Sequence, residues 1–307
     1  MEQRSIGGFK VSVLGLGTGR LASLGAGGSF RDAARLLDTA ADLGITFVDT
    51  ADTYGSTQAE RWLGELMHGR SERFVVATKC GLPTVDLPRP LRALNQPLKK
   101  VIQRAGRQHY LDPAHVRHSI DASLRRLRRE QLELYFVHEP PAGVEQRAEL
   151  FATLDDARTA GKIGHYGVCT PDPAIIRAVI AAGRGEIVQT AVDPLRTADL
   201  RSALDSVSAP GQVEVVANHV LGHLRPHGAG EGEGEGEGEA ASAAVLLDRR
   251  LDSLSAERGV SRVHLLIRHA AALGNVRVVL TGTGNPAHLA DNTAALALPT
   301  AEEDLLT

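Results

Sequence analysis

Ile45-Thr46-Phe47-Val48-Asp49-Thr50-Ala51-Asp52-Thr53-Tyr54-Gly55 decides the fold: a strand-length apolar run ends on an acid, and a tyrosine follows just beyond it. Phe74–Lys79 and Leu132–His138 repeat the design, one ending on lysine and the other on histidine. Working outward, further strand-length apolar runs occur at 11–17, 164–169, 186–192, 213–218 and 276–282. Segments of helical period lie between them: Ala33, Leu36, Leu37 and Ala40 form one stripe, and Val116, Ile120, Leu124 and Leu127 another. Strands alternating with helices signal βα units and a parallel sheet. Eight such strands predict an α/β fold closed as a (β/α)8 TIM barrel, whose chemistry gathers at the C-terminal ends of its strands. Asp49, Lys79 and His138 fall at such ends.

A chain of 307 residues, 43% of them hydrophobic, can fill a barrel that uses roughly 250 residues as one domain. We therefore expect one domain over 1–307 with two insertions. The first, 82–110, separates the third strand from its helix and carries a basic apolar piece at 94–108, expected as a short helix over the barrel mouth. The second, 230–239, is a Gly-Glu alternation too polar and flexible to build a core. A net charge of −3 gives no overall attraction to nucleic acid or an anionic membrane, so neither is expected as a partner. The N-terminal stretch lacks the apolar core of a secretory signal, and no run reaches the ~18 apolar residues of a membrane span. A soluble, cytoplasmic protein is the expectation, with oligomeric state left open.

Cys80 and Cys169 fit no disulfide or zinc-ligand spacing; both are expected reduced, near one rim. Arg125, Arg126, Arg128 and Arg129 read as a solvated outer helix face. An open, doubly wound sheet is disfavoured because Gly15-Leu16-Gly17-Thr18-Gly19-Arg20 lacks the last glycine of a dinucleotide-binding turn. His109, His115, His118 and His138 show no metal-ligand spacing, so no metal is expected.

The four groups suit carbonyl reduction, which needs an acid to protonate oxygen as hydride reaches carbon. A free tyrosine has a pKa of ~10. An ammonium ~4 Å from its phenolate is worth roughly 4 kcal/mol at an effective dielectric of ~20, about 3 pKa units; Lys79 is expected to lower Tyr54 in this way. Asp49 would hold the lysine charged, and His138 would hydrogen-bond the substrate oxygen.

Phe47–Gly55, Ala77–Lys79 and Leu134–Pro140 resemble the three tetrad-bearing segments of the aldo-keto reductases, and the similarity extends from Ser12–Thr18 to Leu280–Asn292. The resemblance implies a (β/α)8 barrel and reduction of an aldehyde or ketone by NADPH, with NADH as an alternative. It also implies a catalytic tetrad of Tyr54, Asp49, Lys79 and His138. On the cofactor side it points to Gly17, Thr18 and Asp49, to Cys169, Thr170 and Gln189 around the nicotinamide, and to Gly282, Thr283, His288 and Asn292 around the adenosine phosphate, where a helix N-terminus offers unpaired amides.

Departures from the pattern carry expectations of their own. Gly282 and His288 replace the lysine and arginine that many relatives set around the 2′-phosphate, which weakens charge-assisted selection of NADPH. Cys169-Thr170 stands for a Ser-Asn pair, and the aromatic platform for the nicotinamide is replaced within Ala217–Val220, where His219 could stack. Glu139, beside His138, reads as a solvated loop carboxylate. Little of a C-terminal specificity loop is present, which predicts an open mouth. A catalytically weak, nucleotide-binding regulatory protein on the same barrel stays open as the alternative.

Overall fold

In the computed structural model, residues 1–22, 28–87, 89–95, 98, 109–206, 212–224 and 237–298 are described. Eight parallel strands close into a barrel in the order β10, β3, β4, β5, β6, β7, β8, β9. They are β3 (Leu14–Gly17), β4 (Phe47–Asp49), β5 (Val75–Cys80), β6 (Leu132–His138), β7 (Ile163–Cys169), β8 (Ile187–Ala191), β9 (Glu214–Asn218) and β10 (Val276–Thr281). Each corresponds to one of the eight apolar runs.

Strand alternation divides each strand between two cores. Inward, Phe47, Ala77, Leu134, Phe136, Cys169, Ile187, Val216, Val278 and Leu280 fill the barrel. Outward, Val48, Val76, Tyr135, Val137, Val168, Val188, Val215 and Val279 meet the helices. Gly15 points inward because nothing larger fits: a Cβ there would lie 2.7 Å from Val278 and 2.8 Å from Leu280.

The run at 11–17 is divided between two elements. Its first residues belong to β2 (Phe9–Ser12), which pairs antiparallel with β1 (Gln3–Ile6). The linking Gly7-Gly8 has both φ values positive, as a two-residue hairpin turn requires. This hairpin inserts Ile6 and Val11 into the interior cluster and closes the N-terminal face of the barrel. Arg4 Nη1 donates to the Val276 carbonyl at 2.6 Å, and Gly7 N donates to Glu214 Oε2 at 2.6 Å.

Among the described residues the outer helices are α1 (Phe30–Asp42), α2 (Gln58–Leu66), α3 (Pro113–Leu127), α4 (Ala148–Thr159), α5 (Pro173–Ala181), α6 (Thr197–Asp205), α7 (Glu237–Arg258), α8 (Arg262–Ala272) and α9 (Pro286–Ala294). Proline opens α3, α5 and α9, and in each an Asp or Asn side chain caps the following amides, the chemistry a helix start favours. The α1 stripe Ala33, Leu36, Leu37 and Ala40 is buried, as are Val116, Ile120 and Leu127 of α3.

The arginine run departs from expectation. Arg126 is buried, its Nε 2.6 Å from Glu60 Oε2, and Arg129 bonds Glu133 and the carbonyls of Ser71 and Phe74. The buried Glu60 carboxylate on α2, and the carbonyls of Ser71 and Phe74 on the approach to β5, draw two of the four guanidinium groups inward. In the first insertion, Arg89–Leu94 forms a 3-10 turn; the rest of its basic piece, apart from Asn95 and Leu98, lies outside the described residues. Residues 230–236 of the Gly-Glu run also lie outside them, and its end, from Glu237, is already helix. No helix of the described residues is long and apolar enough to cross a membrane.

Candidate active site

Register brings the chemistry-bearing residues to one rim. Gly17 pairs with Asp49 across β3 and β4, Lys79 with Phe136 across β5 and β6, His138 with Cys169 across β6 and β7, and Cys169 with Gln189 across β7 and β8. Asp49 lies two residues beyond Phe47, Lys79 two beyond Ala77, His138 two beyond Phe136 and Gln189 two beyond Ile187. Each is therefore the next inward position above the apolar layer. The same alternation separates the cysteines: Cys169 faces the interior and Cys80 the helices, and both are free and buried.

Lys79 is fully buried and its ammonium is saturated. Nζ donates to Asp49 Oδ1 at 2.7 Å, Asp49 Oδ2 at 2.8 Å and the Thr50 carbonyl at 2.8 Å, and it stands 3.3 Å from the Tyr54 hydroxyl. Burial works against this ammonium, and the Asp49 charge more than reverses it, so the Lys79 pKa lies above its ordinary value. Burial likewise raises the Asp49 carboxyl, with Lys79 opposing. Asp49 is held from below, its carbonyl accepting from both N and Oγ1 of Thr18 at 3.0 and 2.8 Å.

Tyr54 reaches the rim from the segment between β4 and α2. Its ring meets His138 edge-on at 6.2 Å between centroids, and Lys79 Nζ lies 4.9 Å from its centre. Burial pushes the phenol up to about 12, against the downward pull of Lys79. The expected lowering is therefore outweighed. The reason is that Asp49 neutralises much of the lysine's charge while the phenol is itself shielded from water. The Tyr54 phenol therefore keeps its proton at neutral pH.

Around the rest of the rim, Thr170 N donates to the Gln189 carbonyl at 3.0 Å and Asn218 Nδ2 lies 3.8 Å from Cys169 Sγ. Gln189 is buried with its Oε1 lacking any protein partner, and its amide helps keep Asp49 ionised. His219 is exposed, with Nδ1 2.9 Å from Asn218 Oδ1. A Cβ added to Gly17 would sit 3.6 Å from Gly282, and one on Gly19 would sit 3.6 Å from the Tyr54 ring.

Beyond β10, Thr283 Oγ1 accepts from Asn285 N at 3.0 Å, while Asn285 caps α9. His288 is exposed in the first turn and Asn292 is buried farther along. Tyr54, Asp49 and Lys79 are thus joined by direct bonds and His138 by ring contact, whereas Thr283 lies just before α9, His288 in its first turn and Asn292 near its end. The Thr50 carbonyl, third acceptor for Lys79, escapes sequence reasoning because a backbone oxygen leaves no residue-type signal. Among the described residues no cluster of three or more His, Cys, Asp or Glu side chains is arranged to hold a metal ion.

The chain is similar over most of its length to the 6-dehydroglucose reductase of Novosphingobium aromaticivorans, at 28% identity over 301 residues, covering 94% of this chain and 88% of that protein. Its fold is similar to an aldo-keto reductase of Bacillus halodurans in holo form, with a TM-score of 0.77, 22% identity and coverage of 100% and 95% of the two chains. It is also similar to an aldo/keto reductase of Klebsiella pneumoniae in complex with NADP and acetate, with a TM-score of 0.68, 19% identity and coverage of 96% and 89%. The profile of the Aldo/keto reductase family matches residues 13–306, and the chain, an oxidoreductase on a closed eight-stranded barrel, belongs to that family.

Proposed function

We propose that the protein transfers hydride between NADPH and the carbonyl carbon of a small aldehyde or ketone, with Tyr54 as general acid and the site forming part of one barrel domain. The observation that carries this reading is Lys79, bonded at once to both Asp49 oxygens and reaching the Tyr54 hydroxyl. The Klebsiella pneumoniae relative, crystallised with NADP, supports the choice of cofactor.

The residues fit a nicotinamide nucleotide. The buried Gln189 Oε1 is an acceptor without a partner, suited to a carboxamide N–H, and an unmatched buried acceptor costs about 1–3 kcal/mol until filled. Cys169, Thr170 and Asn218 flank it, Gly17 and Thr18 floor the site, and Gly282, Thr283, His288 and Asn292 are assigned to the adenosine phosphate. Bound there, the dihydronicotinamide supplies the hydride.

Tyr54 donates its proton to the carbonyl oxygen, and His138 orients that oxygen. Lys79 stabilises the resulting phenolate, its charge kept in place by Asp49. Because burial holds the phenol up to about 12, Tyr54 keeps through neutral pH the proton that reduction needs. Alcohol oxidation, which needs the phenolate, gains rate as pH rises.

Tyr54→Phe is expected to lower kcat by about 10²–10⁴-fold, the worth of a positioned acid, while calorimetric affinity for NADPH stays unchanged. Near-normal turnover would remove Tyr54 from this role. With His288 exposed where relatives carry arginine, parallel titration with NADH is expected to give an affinity within about tenfold of NADPH, a difference of ~1.4 kcal/mol. No binding of either nucleotide would favour a regulatory barrel instead.

A further inference from the structure

We propose that Asp86, held by Arg61 and Arg126, is the positioning residue that fixes the Tyr54 segment over Lys79; this inference rests on the role proposed for Tyr54. The segment needs an external hold. Gly55, Ser56 and Thr57 are three consecutive residues in the left-handed region, with φ of 60°, 51° and 70°. For the two that carry side chains this conformation persists only when surroundings impose it.

The hold comes from outside the barrel. Thr57 Oγ1 donates to Asp86 Oδ1 at 3.3 Å, and Arg61 Nη2 reaches both Asp86 oxygens at 2.7 Å. Arg126 Nη1 lies 3.4 Å from Asp86 Oδ2, while its Nε bonds Glu60 Oε2 at 2.6 Å. Glu60 Oε1 in turn accepts from Thr78 Oγ1 at 2.7 Å, and Thr78 is the outward neighbour of Lys79 on β5. A second strut runs from Thr84 Oγ1 to the Asp52 carbonyl at 3.0 Å.

The network therefore ties both sides of the Tyr54–Lys79 contact to one frame. The strained turn, closed internally by Thr57 N donating to the Asp52 carbonyl at 2.8 Å, is tied to the frame by Asp86 through Thr57 Oγ1, and the strand bearing Lys79 is pinned through Thr78 and Glu60. Burial opposes the Asp86 charge and the two arginines overcome it, so its carboxyl titrates below the usual range. Asp86 itself touches neither Tyr54 nor Lys79 in any of these bonds. Its influence on the reaction passes through the turn.

The test compares Asp86→Ala and Thr57→Val with the conservative Thr57→Ser. Loss of the hold is expected to lower kcat by about 10- to 100-fold, the cost of roughly an ångström of misplacement, with NADPH affinity unchanged and Thr57→Ser near wild type. A second readout needs no turnover. The ultraviolet difference spectrum between each variant and its Tyr54→Phe counterpart isolates this phenol, and a released turn exposes it, so ionisation appears near its ordinary value of about 10. In the Tyr54→Phe background Asp86→Ala should cost no further turnover, since residues acting as a unit are not additive. Unchanged kcat and unchanged phenol ionisation in Asp86→Ala would overturn the proposal. So would a fall in kcat accompanied by weaker NADPH binding and an unmoved phenol. If wild-type protein reduces no carbonyl, the functional reading fails, and the phenol spectrum still decides whether Asp86 holds the turn.

Discussion

At the scale of single residues the site is governed by one buried ion pair. Lys79 and Asp49 are almost wholly shielded from water, so removing either partner strands a charge. Lys79→Met is expected to destabilise the fold by about 3–5 kcal/mol, and Lys79→Met/Asp49→Leu to recover much of that loss, both read by urea denaturation. Three of the four catalytic candidates were legible at the rim because Asp49, Lys79 and His138 each end an apolar run, and a strand's period of two then sets them above the apolar layer; Tyr54 was legible only as the aromatic just beyond the first run. The Tyr54 titration was not legible. Spacing shows that a lysine can approach a phenol, but it says nothing of how far Asp49 cancels the charge or how deeply the ring is buried.

Elements meet where small residues permit. Gly64 on α2 faces the end of α3, and a Cβ there would collide with the Arg126 carbonyl and the Leu127 backbone. Alanine ordinarily favours a helix interior over glycine by about 1 kcal/mol. Here overpacking is expected to reverse the sign, so Gly64→Ala should cost about 1–3 kcal/mol and lower the denaturation midpoint. Eight strands and two helical stripes could be read from periodicity, but the hairpin β1–β2 was not, because its second strand merges with the run at 11–17. The signal was present in Gly7-Gly8 between two short runs. Arg126 offered none: its partner Glu60 lies 66 residues away, and a row of arginines on one helix does not reveal which of them meets a buried acid.

For the whole molecule, buried acids set an alkaline limit. Burial pushes both thiols, Cys80 and Cys169, up to about 12 from 9.0, and Tyr54 up to about 12 from 10.0. Since the unfolded chain loses these protons first, the stability they contribute is fully present below about pH 9 and declines as pH rises toward about 12. Each thiol alone contributes a slope approaching ~1.4 kcal/mol per pH unit in that window. Urea midpoints measured from about pH 8 upward should fall steadily, and neither thiol should react with a disulfide reagent until the protein unfolds. A midpoint independent of pH across that range would contradict this.

Closure of the ring joins the two ends of the chain: β3 begins at Leu14, and its partner β10 begins at Val276. Seven of the eight strands can therefore be synthesised while the sheet still has two bare margins, and the hairpin floor waits for the same final strand to supply the Val276 carbonyl to Arg4. Unpaired strand margins attract other chains, and pairings so distant in sequence form late. During its birth on the ribosome the protein thus passes through a vulnerable interval that ends only when the last strand emerges, and a nonsense mutation just before Val276 would leave it there permanently.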